Sequence, residues 1–181
     1  MLAHPVLRRP YLAPPPIDMP EQFQVQVAKE HFVFSAAHFI TFGDNICERL
    51  HGHNYAVSAE LRGPLGDHQY VVDFILVRDT LAALTQELDH HVLLPTRHPT
   101  IQVESDGREV TATFEERRWV FPAGDCVLLD VENTTAELLA RGLGQRLLEE
   151  LQRRGAGAIE SCVIAVDECN GQQGVWRWTK D

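Results

Sequence analysis

The sequence predicts an α+β fold: an antiparallel four-stranded sheet with two helices on one face, and a strand-rich insert before the second helix. Three observations carry this. Segments near both ends of the chain alternate apolar and polar residues, the two-residue period of half-buried strands. Two further segments repeat apolar residues at three- and four-residue steps, as amphipathic helices do. Between those two lies a stretch of short strand-like runs around a tight turn.

Taken in order, the first twenty residues hold six of the ten prolines. Proline removes backbone donors and fixes φ, so residues 1–21 are read as an extended arm and 22–181 as one domain. QFQVQVAKEHFVFS from Gln22 is the first strand. Its alternation slips between Val27 and Phe32, which predicts a bulge. A loop with Gly43 and Asn45 follows, then HNYAVSAELRG as a second strand and GPLGD as the turn that ends it. Phe74, Val77, Leu81, Leu84 and Leu88 make a helical stripe, with Asp73 near its start. The insert covers about 97–130: TIQVES and REVTATF form a hairpin around Asp106-Gly107, and RRWVFP and CVLLD add strand-like pieces. The second helix opens at NTTAE, where Thr134 and Glu137 fit a capping box. Its stripe is Leu139, Leu143, Leu147 and Leu151, and Gly155 stops it. IESCVIAVDE and GVWRWT are the closing strands.

Composition narrows the function classes. Apolar residues make up 44% of the 181, enough for a real core. Sixteen Lys and Arg against 26 Asp and Glu give a formal charge of −10, which argues against nucleic-acid and anionic-membrane partners. A small anionic substrate stays open, because a few local arginines suffice to bind one. No apolar run approaches the ~18 residues of a membrane span, and the N-terminus lacks a signal-peptide core. Cys47, Cys126, Cys162 and Cys169 form no CxxC pair and are expected as reduced thiols in a cytoplasmic protein.

The sharpest local signal is His51-Gly52-His53 at the head of the second strand. Residues two apart on a strand face the same way, so His51, His53, Tyr55, Val57, Ala59 and Leu61 share a face. His38 ends the first strand, and pairing of the two strands as a hairpin-like unit places it beside the other two. Three neutral imidazoles make a zinc site with its fourth position open, the arrangement of catalytic zinc. Cys47 lies four residues before His51, where a nearby cation would ease ionisation of the thiol and suit it as base or nucleophile. Asp89-His90 pairs a carboxylate with an imidazole, the parts of a proton relay. Glu168, at a strand end, reads equally as a surface acid and as a half-buried carboxylate that needs N–H donors.

In chain order FSAAH, C-x-x-x-H-G-H-N-Y, VVDF before a helix, LDH, NTTAE and VDE resemble the 6-pyruvoyltetrahydropterin synthase and 6-carboxytetrahydropterin synthase family, over roughly 23–96 and 131–178. The resemblance implies the tunnelling fold, whose units assemble as a homo-hexamer, a dimer of trimers with active sites between subunits. It implies Zn²⁺ on His38, His51 and His53, with Cys47 as the proton-abstracting thiol. Asp89 and His90 would complete the relay from the adjacent subunit. Glu168 would anchor the pterin edge, with Thr134 and Thr135 as supporting contacts. The implied substrate is 7,8-dihydroneopterin triphosphate. The implied product is 6-carboxy-5,6,7,8-tetrahydropterin of the queuosine (7-deazaguanine) route. Alternatives are the 6-pyruvoyl product, side-chain cleavage to 6-hydroxymethyl-dihydropterin for folate synthesis, and a non-catalytic pterin-binding module.

The chain departs from that pattern in four places. The insert replaces a short loop, Leu94 stands where an asparagine is usual, Thr134 stands for a proline, and Cys169 follows Glu168 where a threonine is usual. Arg97, Arg108, Arg117 and Arg118 in or beside the insert could meet a triphosphate, although each alone reads better as part of a solvated face. Glu48 complicates the choice of base, because some members that resemble this family use a glutamate at E-x-x-H-G-H, the spacing of Glu48 to His51. On extended backbone Cys47 and Glu48 point to opposite sides. Cys47 is the favoured base.

Overall fold

The computed structural model describes residues 21–43, 46–168 and 171–180; the proline-rich stretch and Cys169 lie outside them. The elements are β1 (Phe23–His38), β2 (Thr41–Phe42), β3 (Ile46–Cys47), β4 (His51–Gly63), α1 (Phe74–Gln86), β5 (His91–Pro95), β6 (Gln102–Ser105), β7 (Glu109–Phe114), β8 (Arg117–Pro122), β9 (Cys126–Leu129), α2 (Ala136–Arg153), β10 (Ser161–Asp167) and β11 (Gln173–Thr179). No helix among the described residues is long and apolar enough to cross a membrane.

The sheet is larger than expected. Its order is β11-β10-β4-β1-β5-β9: four antiparallel strands, to which β5 and then β9 add in parallel. The architecture is therefore a mixed six-stranded sheet. The strand missed by the sequence reading is His91–Pro95, a five-residue run without alternation whose Leu93 and Leu94 are fully buried. A short apolar run of this kind cannot be told from a helix tail by periodicity.

The slip in β1 is real. Ala28 pairs with Ser58 but Val33 pairs with Ala56, so β1 carries extra residues across the bulge. The core lies between the sheet and both helices. Tyr55, Val57, Ala59 and Leu61 of β4 and Cys162, Ile164 and Val166 of β10 pack against Val77, Leu81 and Leu84 of α1 and Leu139, Leu143, Leu147 and Leu151 of α2. Each fully buried leucine contributes roughly 1.5–3 kcal/mol of transfer free energy. Asp73 caps α1 by accepting from Ile75 N at 2.7 Å. Phe74 departs from the predicted stripe and is exposed, with Val71 and Val72 ahead of the cap filling the buried positions. Gly155 ends α2 at φ 69°, a left-handed position that favours glycine. The predicted capping box is absent: the N-cap is Thr135, with no side-chain cap bond, because the Thr134 hydroxyl donates instead to Phe39 O at 3.2 Å.

The insert forms its own antiparallel sheet, β6-β7-β8. Its tight turn has Gly107 at φ 85°, and Asp106 Oδ1 accepts from the N–H groups of Arg108 and Glu109 at 2.8 Å each. Ile101, Val110, Ala112 and Phe114 form a second core with Phe39, Cys47 and Leu94. His98 ties the start of the insert to β2. Its Nδ1 accepts from Thr100 N at 3.1 Å and Ile101 N at 2.9 Å, which leaves the proton on Nε2, bonded to Thr41 Oγ1 at 2.7 Å.

Burial holds the His98 pKa below its ordinary value of 6.5. The unfolded chain therefore takes up a proton near pH 6.5 that folded His98 resists, so the stabilisation is present above that pH and fades as pH falls towards the folded pKa. Comparing thermal melts of His98→Asn with the parent protein should show the widest gap in Tm above about pH 7, narrowing towards about pH 5. A gap constant across that range would contradict this placement of the proton.

Candidate metal centre

Register builds the centre. In the antiparallel β1–β4 pair His38 is the direct partner of His51, and Ala36 that of His53. Directly opposed residues share a face, as do residues two apart, so the three imidazoles converge. One ligand nitrogen from each lies within 4.8 Å of the others. The ring centroids are 4.8 Å (His38–His51), 4.9 Å (His51–His53) and 5.3 Å (His38–His53) apart. Gly52 between two of them is a close approach, since a Cβ there would sit 2.9 Å from Ala36 O. Below the trio Phe34 and Tyr55, also direct partners, stack at 4.6 Å and close the apolar floor.

Backbone carbonyls orient two of the rings. His38 Nδ1 donates to Thr134 O at 2.8 Å and His51 Nδ1 to Arg49 O at 2.9 Å. A carbonyl can only accept, so each Nδ1 carries the proton, and in the neutral ring Nε2 keeps the lone pair that an imidazole presents to a metal. His38 Nε2 is buried without a hydrogen-bond partner among the described residues. Burial, reinforced by the two neighbouring imidazoles and opposed by the Thr134 bond, lowers the His38 pKa to about 4, so the ring is neutral at ordinary pH. A neutral buried lone pair with no proton to accept fits a cation.

Other groups share the field of the trio. Burial raises the Glu168 carboxyl above its ordinary range, with His53 and His51 opposing and Glu137 and Glu48 adding to the rise. Tyr55 is fully buried, its hydroxyl has no partner among the described residues, and burial and Glu168 both raise its pKa. Thr135 caps α2 at partial burial, while Thr134 is fully buried and serves through its carbonyl to His38 and its hydroxyl to Phe39. The segment is held further by Asn133, whose Nδ2 donates to Thr41 O at 3.0 Å.

The remaining expected residues sit elsewhere. Cys47 is buried in the second core, and burial, the largest influence, raises its thiol pKa. The Glu48 carboxylate turns the other way, with Oε2 3.9 Å from His51 Nδ1. Asp89 Oδ1 accepts from Ser35 N at 2.7 Å, and Oδ2 lies 2.9 Å from His90 Nδ1. The Ser35 bond, with help from His90, holds the Asp89 carboxyl below its usual range. No hydrogen bond or ion pair joins Asp89 or His90 to the trio among the described residues. The sequence reading missed the parts played here by Tyr55 and Glu137. Tyr55 was visible as the next residue on the histidine face of β4, whereas Glu137 gave no signal beyond its supposed capping role.

A family profile described as 6-pyruvoyl tetrahydropterin synthase matches residues 26–175. The chain belongs to the 6-pyruvoyl tetrahydropterin synthase family. It is 32% identical over 145 residues to a Methanocaldococcus jannaschii protein assigned as a 6-carboxy-5,6,7,8-tetrahydropterin synthase, covering 80% of this chain and 88% of that one. An Aquifex aeolicus 6-carboxy-5,6,7,8-tetrahydropterin synthase is 28% identical over 112 residues, 61% of this chain and 62% of that one. The solved Plasmodium falciparum 6-pyruvoyl tetrahydropterin synthase superposes with TM-score 0.80 at 29% identity, over 89% of this chain and all of that one. A Plasmodium vivax 6-pyruvoyltetrahydropterin synthase with a catalytic glutamate replaced by alanine also scores 0.80, at 27% identity over the same shares.

Replacing any one of His38, His51 and His53 with alanine should weaken binding of added zinc by more than the ~10–100-fold cost of losing a group that hydrogen-bonds a ligand. Competition against a chromogenic chelator measures this, and undiminished affinity in all three variants would refute the centre.

Proposed function

We propose that this chain is a zinc-dependent pterin lyase converting 7,8-dihydroneopterin triphosphate to 6-carboxy-5,6,7,8-tetrahydropterin, on the queuosine route. The observation that carries the reading is the convergence of three imidazoles around the unpartnered His38 Nε2. Relatives that bear the name 6-carboxy-5,6,7,8-tetrahydropterin synthase support the choice of product. His38, His51 and His53 would hold the zinc. When bound, it supplies Lewis acidity at the side-chain hydroxyls of the substrate, which makes the adjoining C–H protons accessible to a modest base.

The protein's own groups do the rest. The raised carboxyl of Glu168 gains from a ligand with adjacent N–H donors, because charge-assisted bonds offset the cost of a half-buried charge. The amino–amide edge of a pterin is such a ligand, with Thr135 beside it. Cys47 is the proton-abstracting thiol. Asp89 orients His90 as a relay, and the separation of this pair from the trio in its own chain supports service to a neighbouring subunit of a homo-hexamer.

One observation favours a second reading. Glu48 lies beside His51 while the thiol faces the insert, and the Plasmodium vivax neighbour has a catalytic glutamate. With Glu48 as base the product would be 6-hydroxymethyl-dihydropterin.

Incubating zinc-loaded protein with 7,8-dihydroneopterin triphosphate and following products by mass separates the two. The first reading expects 6-carboxytetrahydropterin, a kcat loss of about 10²-fold or more in Cys47→Ala and little change in Glu48→Gln. The second expects 6-hydroxymethyl-dihydropterin and the reverse ranking of variants. A 6-pyruvoyl product would overturn the product assignment while keeping the site, and unchanged substrate would defeat both readings.

A further inference from the structure

We infer that Arg117, carried by the insert, is a positioning residue for the Cys47–Glu48 segment: one guanidinium grips the thiol and both carbonyls, keeping thiol and carboxylate on opposite sides of the chain. Its Nη1 donates to Cys47 O at 2.9 Å, and its Nη2 donates to Cys47 Sγ at 3.1 Å and also to Glu48 O. The fork is itself held. The guanidinium carbon lies 4.7 Å from the Trp119 ring centroid and 5.9 Å from that of Phe114. Trp119 in turn stacks on Phe39 at 4.5 Å, and Phe39 follows the metal-centre residue His38. From the other side Glu48 N donates to Ile40 O at 2.9 Å. The segment is therefore clamped from both flanks between the end of β1 and the insert.

The consequence is a sorting of two chemically competent side chains. Cys47 packs with Phe39, Leu94 and Ile101, whereas Glu48 reaches towards His51. The charged groups whose fields reach the thiol are Arg117 on β8, Glu48 next to it in the chain, and Glu115 on the turn between β7 and β8. Both carboxylates disfavour the thiolate, and Arg117 opposes them. A lysine at this position would keep the charge but lose the planar fork that spans two successive carbonyls. This inference rests on the proposed function only in taking one of the two side chains as the base.

The test is the pH dependence of Cys47 alkylation by iodoacetamide, read by peptide mass on zinc-loaded parent protein, Arg117→Met and Arg117→Lys. Methionine keeps bulk over the thiol and removes charge and donors, so the midpoint should rise by about one pH unit; an unmoved midpoint overturns the inference. Lysine keeps the charge without the fork, so the midpoint should stay while the limiting rate rises several-fold. An unchanged rate in Arg117→Lys likewise overturns it, even where Arg117→Met fails to fold. Zinc affinity should persist in the folded variants. Alkylation needs no turnover: shifted alkylation without catalysis sinks the function alone, and catalysis with unshifted alkylation sinks this inference alone.

Discussion

His38 and His51 meet because they are direct partners across two antiparallel strands, and His53 joins them because it lies two residues further along β4. A slip of one residue in this pairing would turn one set of imidazoles to the opposite face of the sheet. What fixes the register is the apolar half of the same strands: Val57, Ala59 and Leu61 point into the core on the face that carries the histidines. The bulge in β1 lets a strand of 16 residues bend and still keep both halves in phase with β4. Site geometry and core packing are thus one constraint, satisfied by a single alternating pattern.

At its polar end that pattern carries a cost. A neutral buried imidazole and a buried phenol, each with an unpartnered atom, and a half-buried carboxylate stand close together at the end of an apolar face. Such groups destabilise a protein unless something completes them. Their concentration at this end of the sheet sets it apart from ordinary core. The carbonyls of Thr134 and Arg49 pin two of the rings before any ligand arrives, which limits the ordering cost of binding.

Much of this was legible in the sequence. Alternation located β1, β4, β10 and β11, and helical periodicity located both helices, because each buries one face against water. His51-Gly52-His53 was readable because strand geometry makes two-residue spacing meaningful. The parallel strand His91–Pro95 was not, since burial on both sides erases alternation. Thr134 misled for a different reason: its hydroxyl had two partners within reach, the helix start and the carbonyl of Phe39, and only tertiary packing chooses between them. The grip of Arg117 on Cys47 joins residues 70 positions apart and had no local sign.

Because β5 and β9 run parallel, the chain between them cannot close as a hairpin. It leaves the sheet beside Pro95, level with Leu129, and must return to Cys126 at the start of β9, three residue steps or about 10 Å back along the strand. Surgical shortening of this region would have to retain a spanning link of that length or sacrifice the outermost strand. Replacing it with a tight turn would therefore fray the margin of the sheet as well as release the segment ahead of His51.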